Sequence, residues 1–166
     1  WDRPVALAAA TLFNGSLDLV VADPIARSIS LLSNDGQGAF TGGRNDIYIG
    51  HALADVIAAD FDADGDADLA TANWDDASIT LLYNGGRGTF SSRMTLRVPE
   101  GPMAIAASDL NADDRRDLVV ANSLDGTVSV LLADRHGGFI ARTDYAVGIE
   151  PVSIQVLDLS LIHISE

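Results

Sequence analysis

Nine residues concentrate the carboxylate chemistry of this chain: Asp60-Phe61-Asp62-Ala63-Asp64-Gly65-Asp66-Ala67-Asp68. Oxygen donors recur at alternate positions, from the first residue to the ninth, and glycine holds the sixth. In a tightly curled loop alternate residues turn inward, and glycine supplies the positive φ of a sharp bend. Such a loop offers a hard cation the roughly six to eight oxygens that calcium takes. The ligands read from this spacing are the carboxylates of Asp60, Asp62, Asp64 and Asp68 and the main-chain carbonyl of Asp66, with water filling the remainder. Magnesium fits less well, because it demands a smaller and stricter octahedron. The loop is not an EF-hand, which closes on a bidentate Glu three residues beyond this point and is flanked by helices; here that place is Thr71 and the flanks read as strands. The competing reading is a solvated acidic turn, since Asp is common in turns. Five Asp in nine residues repel one another strongly, however, unless a cation joins them.

A second loop, Asp109-Leu110-Asn111-Ala112-Asp113-Asp114-Arg115-Arg116-Asp117, keeps most of these donors. Its expected ligands are Asp109, Asn111, Asp113 and Asp117, with the carbonyl of Arg115. Asp114 replaces the glycine, and Asp tolerates left-handed backbone better than most residues. Arg115 and Arg116 are equally able to neutralise the carboxylates by ion pairing. A third loop, residues 10–18, keeps only Asn14, Gly15 and Asp18. No calcium is expected there, and a hydrogen-bonded turn is enough to explain it.

Little else suggests catalysis. His51, His136 and His163 stand at unrelated places, and there is no Cys to join them in a metal site. No G-x-S-x-G elbow, phosphate-binding loop or dinucleotide fingerprint is present, and Gly85-Gly86-Arg87-Gly88 reads as a turn. A glycosidase-like carboxylate pair would need two free acids, and the clustered ones are taken up by the loops. The chain is therefore expected not to be an enzyme. Trp1, Trp74 and Tyr83 are candidates for a sugar- or protein-docking face, against the alternative of ordinary packing.

The loops sit in a repeat. Asp18-Leu19-Val20-Val21-Ala22 recurs as Asp68-Leu69-Ala70-Thr71-Ala72 and as Asp117-Leu118-Val119-Val120-Ala121, at spacings of 50 and 49. Ile29–Leu32, Ile79–Leu82 and Val128–Leu131 keep the same two spacings, as do Phe40, Phe90 and Phe139. Within each unit the segments are short, apolar and rich in β-branched residues, with Asn, Asp and Gly turns between them. No helical period is sustained. Four strands per unit are predicted, at about 4–10, 18–23, 28–33 and 39–49 in the first. Units of this size with four short strands match the blades of a β-propeller, whose crowded inner strands suit Ala.

The register of these landmarks carries a family resemblance. Phe90 before Gly101-Pro102, Phe139 before Gly148-Ile149-Glu150-Pro151, the Asp-rich loop and Asp117-Leu118-Val119 together resemble the FG-GAP/VCBS repeat family, the integrin α-chain type of β-propeller. The resemblance spans residues 4 to 159. It implies a propeller in which the ninth residue of each loop closes the calcium site and leads into the next strand. The fold expected is all-β, a propeller fragment of about three four-stranded blades and the start of a fourth. Blade 1 spans 1–51 with a degenerate loop, blade 2 spans 52–101, blade 3 spans 102–150, and 151–159 opens blade 4. Ser160 to Glu166 departs from the pattern and reads as an artefact or a divergent end. Trp1-Asp2-Arg3 carries no initiator Met or signal segment, which reads as a mature or partial chain.

Composition narrows the partners. Lys and Arg number 10 against 24 Asp and Glu, giving a net charge of −14. Such a surface disfavours nucleic-acid backbones and anionic membrane surfaces, and no apolar run is long enough to span a bilayer. Calcium-stabilised modules of modest affinity suit the extracellular ion concentration, so a secreted or cell-surface location is expected. The expected partners are calcium, the remaining blades of the propeller, and a protein or glycan ligand. The function expected is a non-catalytic calcium-binding recognition or adhesion module. The alternative is a propeller domain of, or appended to, a secreted polysaccharide lyase or hydrolase.

Overall fold

A computed structural model of the chain describes residues 3–40 and 45–157. Its strands fall into three sets of four. The first set is β1 (Ala6–Thr11), β2 (Leu17–Asp23), β3 (Ser28–Leu32) and β4 (Asn45–Tyr48); the second is β5 (Leu53–Ala59), β6 (Asp68–Asn73), β7 (Ser78–Asn84) and β8 (Phe90–Arg97). The third is β9 (Pro102–Ser108), β10 (Asp117–Asn122), β11 (Thr127–Ala133) and β12 (Phe139–Ala146). Each set forms its own antiparallel sheet with the strands in chain order. The chain is all-β, and the sheets are successive blades of an open, propeller-like array.

The sequence explains the order. The first strand of each blade is rich in Ala, and these strands lie side by side, β1 next to β5 and β5 next to β9. Small side chains let the blades converge there. The strands β6 and β10 are buried along their whole length. Their residues accordingly run apolar on both faces, where a half-exposed strand would alternate. The outermost β8 does alternate, with Phe90, Met94 and Leu96 half-buried between exposed neighbours. One core cluster joins blades 1 and 2 through Ile29, Leu31, Leu53, Val56, Leu69 and Leu82. A second joins blades 2 and 3 through Ile79, Leu81, Ile105, Leu118, Val120 and Leu131.

Two expectations shift. The outer strand of the first blade is limited to Asn45–Tyr48. Phe40 makes only an isolated bridge to Asn34, and residues 41–44 lie outside the described residues. Residues 151–157, where a fourth inner strand was expected, carry no strand. Inner strands here pair within their sheet only with the second strand of their own blade, and among the described residues no second strand follows residue 157. The out-of-pattern tail 160–166, with His163, also lies outside the described residues, as does Trp1.

Candidate metal centre

The geometry begins with one carboxylate per blade. In blade 2 the β6–β7 ladder ends at Leu69–Leu82, two residues short of Asn84. Asp68, the first residue of β6, fills the gap. Its Oδ1 accepts the N–H of Asn84 at 2.7 Å and its Oδ2 that of Phe61 at 2.9 Å. Blade 3 repeats this with Asp117, which accepts from Ala133 at 2.8 Å and Leu110 at 2.9 Å. Blade 1 repeats it with Asp18, which accepts from Asn34 at 2.9 Å, Leu12 at 2.9 Å and Phe13 at 3.1 Å. All three carboxylates are fully buried. Each ties its loop to the end of the third strand and satisfies N–H groups that the ladder leaves free.

This role was missed in the sequence, where Asp68 and Asp117 figure only as metal ligands. The signal that could have shown it was Asp18, retained in a loop that has lost the other acids.

The loops themselves are built alike. Asp60 accepts the N–H of Ala63 at 2.7 Å and of Gly65 at 3.0 Å. Asp109 accepts those of Asp113 at 3.1 Å and Asp114 at 2.8 Å. Asp62 and Asn111 each accept from the residue two further on, Asp64 and Asp113. Asp64 and Asp113 then do the same for Asp66 and Arg115. Both loops bend through two left-handed residues, Ala63 and Gly65 in one, Ala112 and Asp114 in the other. Gly65 therefore serves the bend read from its spacing, and Asp114 takes its place at φ 63°.

The loops differ in what their carboxylates meet. In loop 60–68, ligand oxygens of Asp60, Asp62 and Asp68 all lie within 4.8 Å of one another. Among the described residues this is the one such group of acids; Asp64 and Asp66 lie outside it, and Asp109, Asp113 and Asp117 are not so gathered. Burial pushes Asp68 up to about 6, with the charges of Asp62 and Asp64 adding to the rise and the N–H groups of Asn84 and Phe61 opposing it. Asp62 is raised as well, by desolvation first and then by Asp64. The loop contains no Lys or Arg. In loop 109–117 the Arg115 guanidinium lies 2.9 Å from Asp113. Asp109 is held below the ordinary carboxylate range: desolvation opposes this, but the N–H groups of Asp114, Asp113, Ala112 and Asn111 outweigh it.

The first loop is also sealed by its neighbour. The turn between β11 and β12 lies against it, so that a Cβ added at Gly137 would stand 2.7 Å from Asp62 Cβ. The Tyr83 hydroxyl donates to the Gly137 carbonyl. Desolvation, then Asp68, Asp62 and Asp134, push that phenol up to about 12. The equivalent turn of blade 2 lies on the loop of blade 1, with Gly88 against the Phe13 ring.

Other candidates separate. Tyr83 stands at the loop end of blade 2, whereas Trp74 follows β6 at the opposite end, so the two do not form one docking face. The Trp74 N–H donates to Ala52 O. Trp74 lines a cavity of about 560 Å³ with Val5, Leu53, Met103, Ala104 and Val152. His51 lies between Asp75 and Asp76, at 3.6 and 3.7 Å, as part of the junction between blades 1 and 2. His136 belongs to the turn organised by Asp134, which accepts its N–H at 2.7 Å.

Blades that repeat an Asp-clamped loop of this kind define a class, the β-propellers built from loop-and-strand repeats. Within it, the FG-GAP-like repeat matches residues 13–71 and again 60–120. The matches cover more than half of the chain, which belongs to the FG-GAP-like repeat family. Each match starts within one Asp loop and ends in the second strand of the next blade.

No curated protein matches the chain. Among solved structures, a Tc holotoxin pore from Photorhabdus luminescens is 21% identical with a TM-score of 0.49, over 81% of this chain and 6% of that one. BBS1N in complex with ARL6DN is 14% identical with a TM-score of 0.39, over 89% of this chain and 56% of that one.

Proposed function

We propose that this chain is a non-catalytic, calcium-stabilised propeller module that presents a recognition surface to a protein or glycan outside the cell. The observation that carries the reading is the gathering of Asp60, Asp62 and Asp68 in a loop without a basic residue. Acids crowded in this way, two of them raised by burial and mutual repulsion, are short of positive charge. A hard divalent ion supplies it, and calcium suits an oxygen-only donor set on a flexible loop. The role is structural: the ion would fasten the loop that joins the first two strands of blade 2.

Two further observations support the wider reading. The cavity beside Trp74 lies at the blade ends remote from the Asp loops, and it is mostly apolar with one aromatic wall, as ligand sites commonly are. Val128 and Val130 are half-exposed, whereas their repeat equivalents Ile79 and Leu81 are fully buried against blade 3. A further blade of the same repeat is the partner that such a face fits. Most carboxylates within the described residues are engaged in clamps, turns and blade junctions, as Asp18, Asp60, Asp75, Asp117 and Asp134 are, which favours recognition over hydrolysis.

The test is thermal melting in calcium and in chelator, with an Asp60→Asn/Asp62→Asn variant alongside. Asp68 is left intact because it also clamps the backbone. Calcium at a hundredfold excess over Kd contributes about 2.7 kcal/mol, so the midpoint should rise by roughly 5–10 °C. The variant should lose the rise. A native chain that melts identically in both buffers would refute the calcium assignment.

A further inference from the structure

We infer that the second Asp loop takes no divalent ion, because Arg115 is its built-in cation. The two loops share a backbone: left-handed bends at the same positions, closely similar side-chain-to-backbone hydrogen bonds, and the same buried Asp at the end. Their difference therefore lies in the side chains. Loop 60–68 carries five Asp and no basic residue, whereas loop 109–117 carries four Asp and two Arg. Position 7 is Asp66 in the first and Arg115 in the second.

Arg115 folds back over its own loop. Its backbone N–H donates to Asp113 Oδ1 at 3.0 Å, and its guanidinium reaches Oδ2 of the same carboxylate at 2.9 Å. Asn111, at the place of Asp62, turns its amide N–H to that Oδ2 as well, at 2.9 Å. Both oxygens of Asp113 are thus engaged by donors. The amide group at position 3 also presents N–H where the first loop presents a second carboxylate. Calcium entering here would have to displace the guanidinium and turn the amide, for a site with fewer charges. Position 3 is Asn111 here, so this loop lacks the third acid that joins Asp60 and Asp68 in the first. A guanidinium is always charged and offers planar, directed donors, so the loop carries its own cation whether or not a divalent ion is supplied.

The inference stands apart from the assignment of calcium to loop 60–68, and one experiment separates them. Calcium stoichiometry is measured by equilibrium dialysis at about 1 mM free ion, near the affinity of extracellular modules, on the native chain and on Asp60→Asn, Asp113→Asn and Arg115→Ala variants. Arg115→Gln serves as a second charge-removing variant if the alanine form does not fold. One equivalent is expected for the native chain, none for Asp60→Asn, and one still for Asp113→Asn. Arg115→Ala, or Arg115→Gln, is expected to gain an equivalent and to melt higher in calcium than in chelator by more than the native chain does. Two native equivalents, one of them lost in Asp113→Asn, would overturn the inference. So would Arg115 variants that gain no ion. Zero native equivalents with a gain on removing Arg115 would sink the first-loop assignment and leave this one standing.

Discussion

Asp18, Asp68 and Asp117 show a backbone clamp at a repeat position whose sequence reads as a metal ligand. In blade 1 there is no ring of acids for this residue to join. There it accepts three backbone N–H groups while fully buried. Hydrogen bonds to a charged group contribute about 1.5–3 kcal/mol each, and donors left unsatisfied cost a comparable amount. Asp18→Ala should therefore lower stability by about 3 kcal/mol or more, equally in calcium and in chelator, as read from urea unfolding. An effect confined to one of the two buffers would show that the clamp is not independent of metal. The same reasoning means that loss of Asp68 cannot by itself report on the ion. The crowding of Asp60, Asp62 and Asp68 was legible because acids at alternate positions of a curled loop turn to the same side. The clamp was not, because its donors are main-chain amides that no residue type announces.

The strands were legible to within a few residues, and the reason lies in the elements themselves. Leu69, Ala70, Thr71 and Ala72 are buried on both faces of β6, so the sequence shows an uninterrupted small or apolar run. The exposed β12 has only Phe139 to mark its start and is otherwise solvent-facing. Outer strands were accordingly the least well placed, as the short β4 shows. What the repeat pattern did not reveal is the turn of one blade resting on the loop of the one before. Gly137 holds φ +75° with Asp62 under it. A methyl group there would meet both an unfavourable left-handed backbone, at roughly 1–2 kcal/mol, and a backbone-anchored neighbour. Gly137→Ala is expected to lower the melting midpoint and to weaken calcium binding at Asp62 several-fold by titration calorimetry. Unchanged affinity would mean that the turn does not shape the site.

For the molecule as a whole, charge is the dominant property. A surplus of 14 negative charges repels itself in the compact state, and that repulsion is screened by salt over about 10 Å at 0.1 M. In chelator, the melting midpoint should climb as sodium chloride is raised from about 0.01 to 0.15 M. In saturating calcium the climb should be shallower, since a bound divalent ion has already removed part of the repulsion. Parallel salt curves would indicate that the acidic loops contribute little to the overall field.

The seating of turn on loop always points the same way along the chain: Gly88 of blade 2 rests on blade 1, and Gly137 of blade 3 rests on blade 2. Like overlapping roof tiles, blade 2 covers the loop of blade 1 and is covered in turn by blade 3. Loosening of the loop in blade 2 is therefore felt in the turn of blade 3 that rests on it. Where repeated units touch only their neighbours, this gives the coupling between adjacent blades a direction, even though the fold repeats itself from blade to blade.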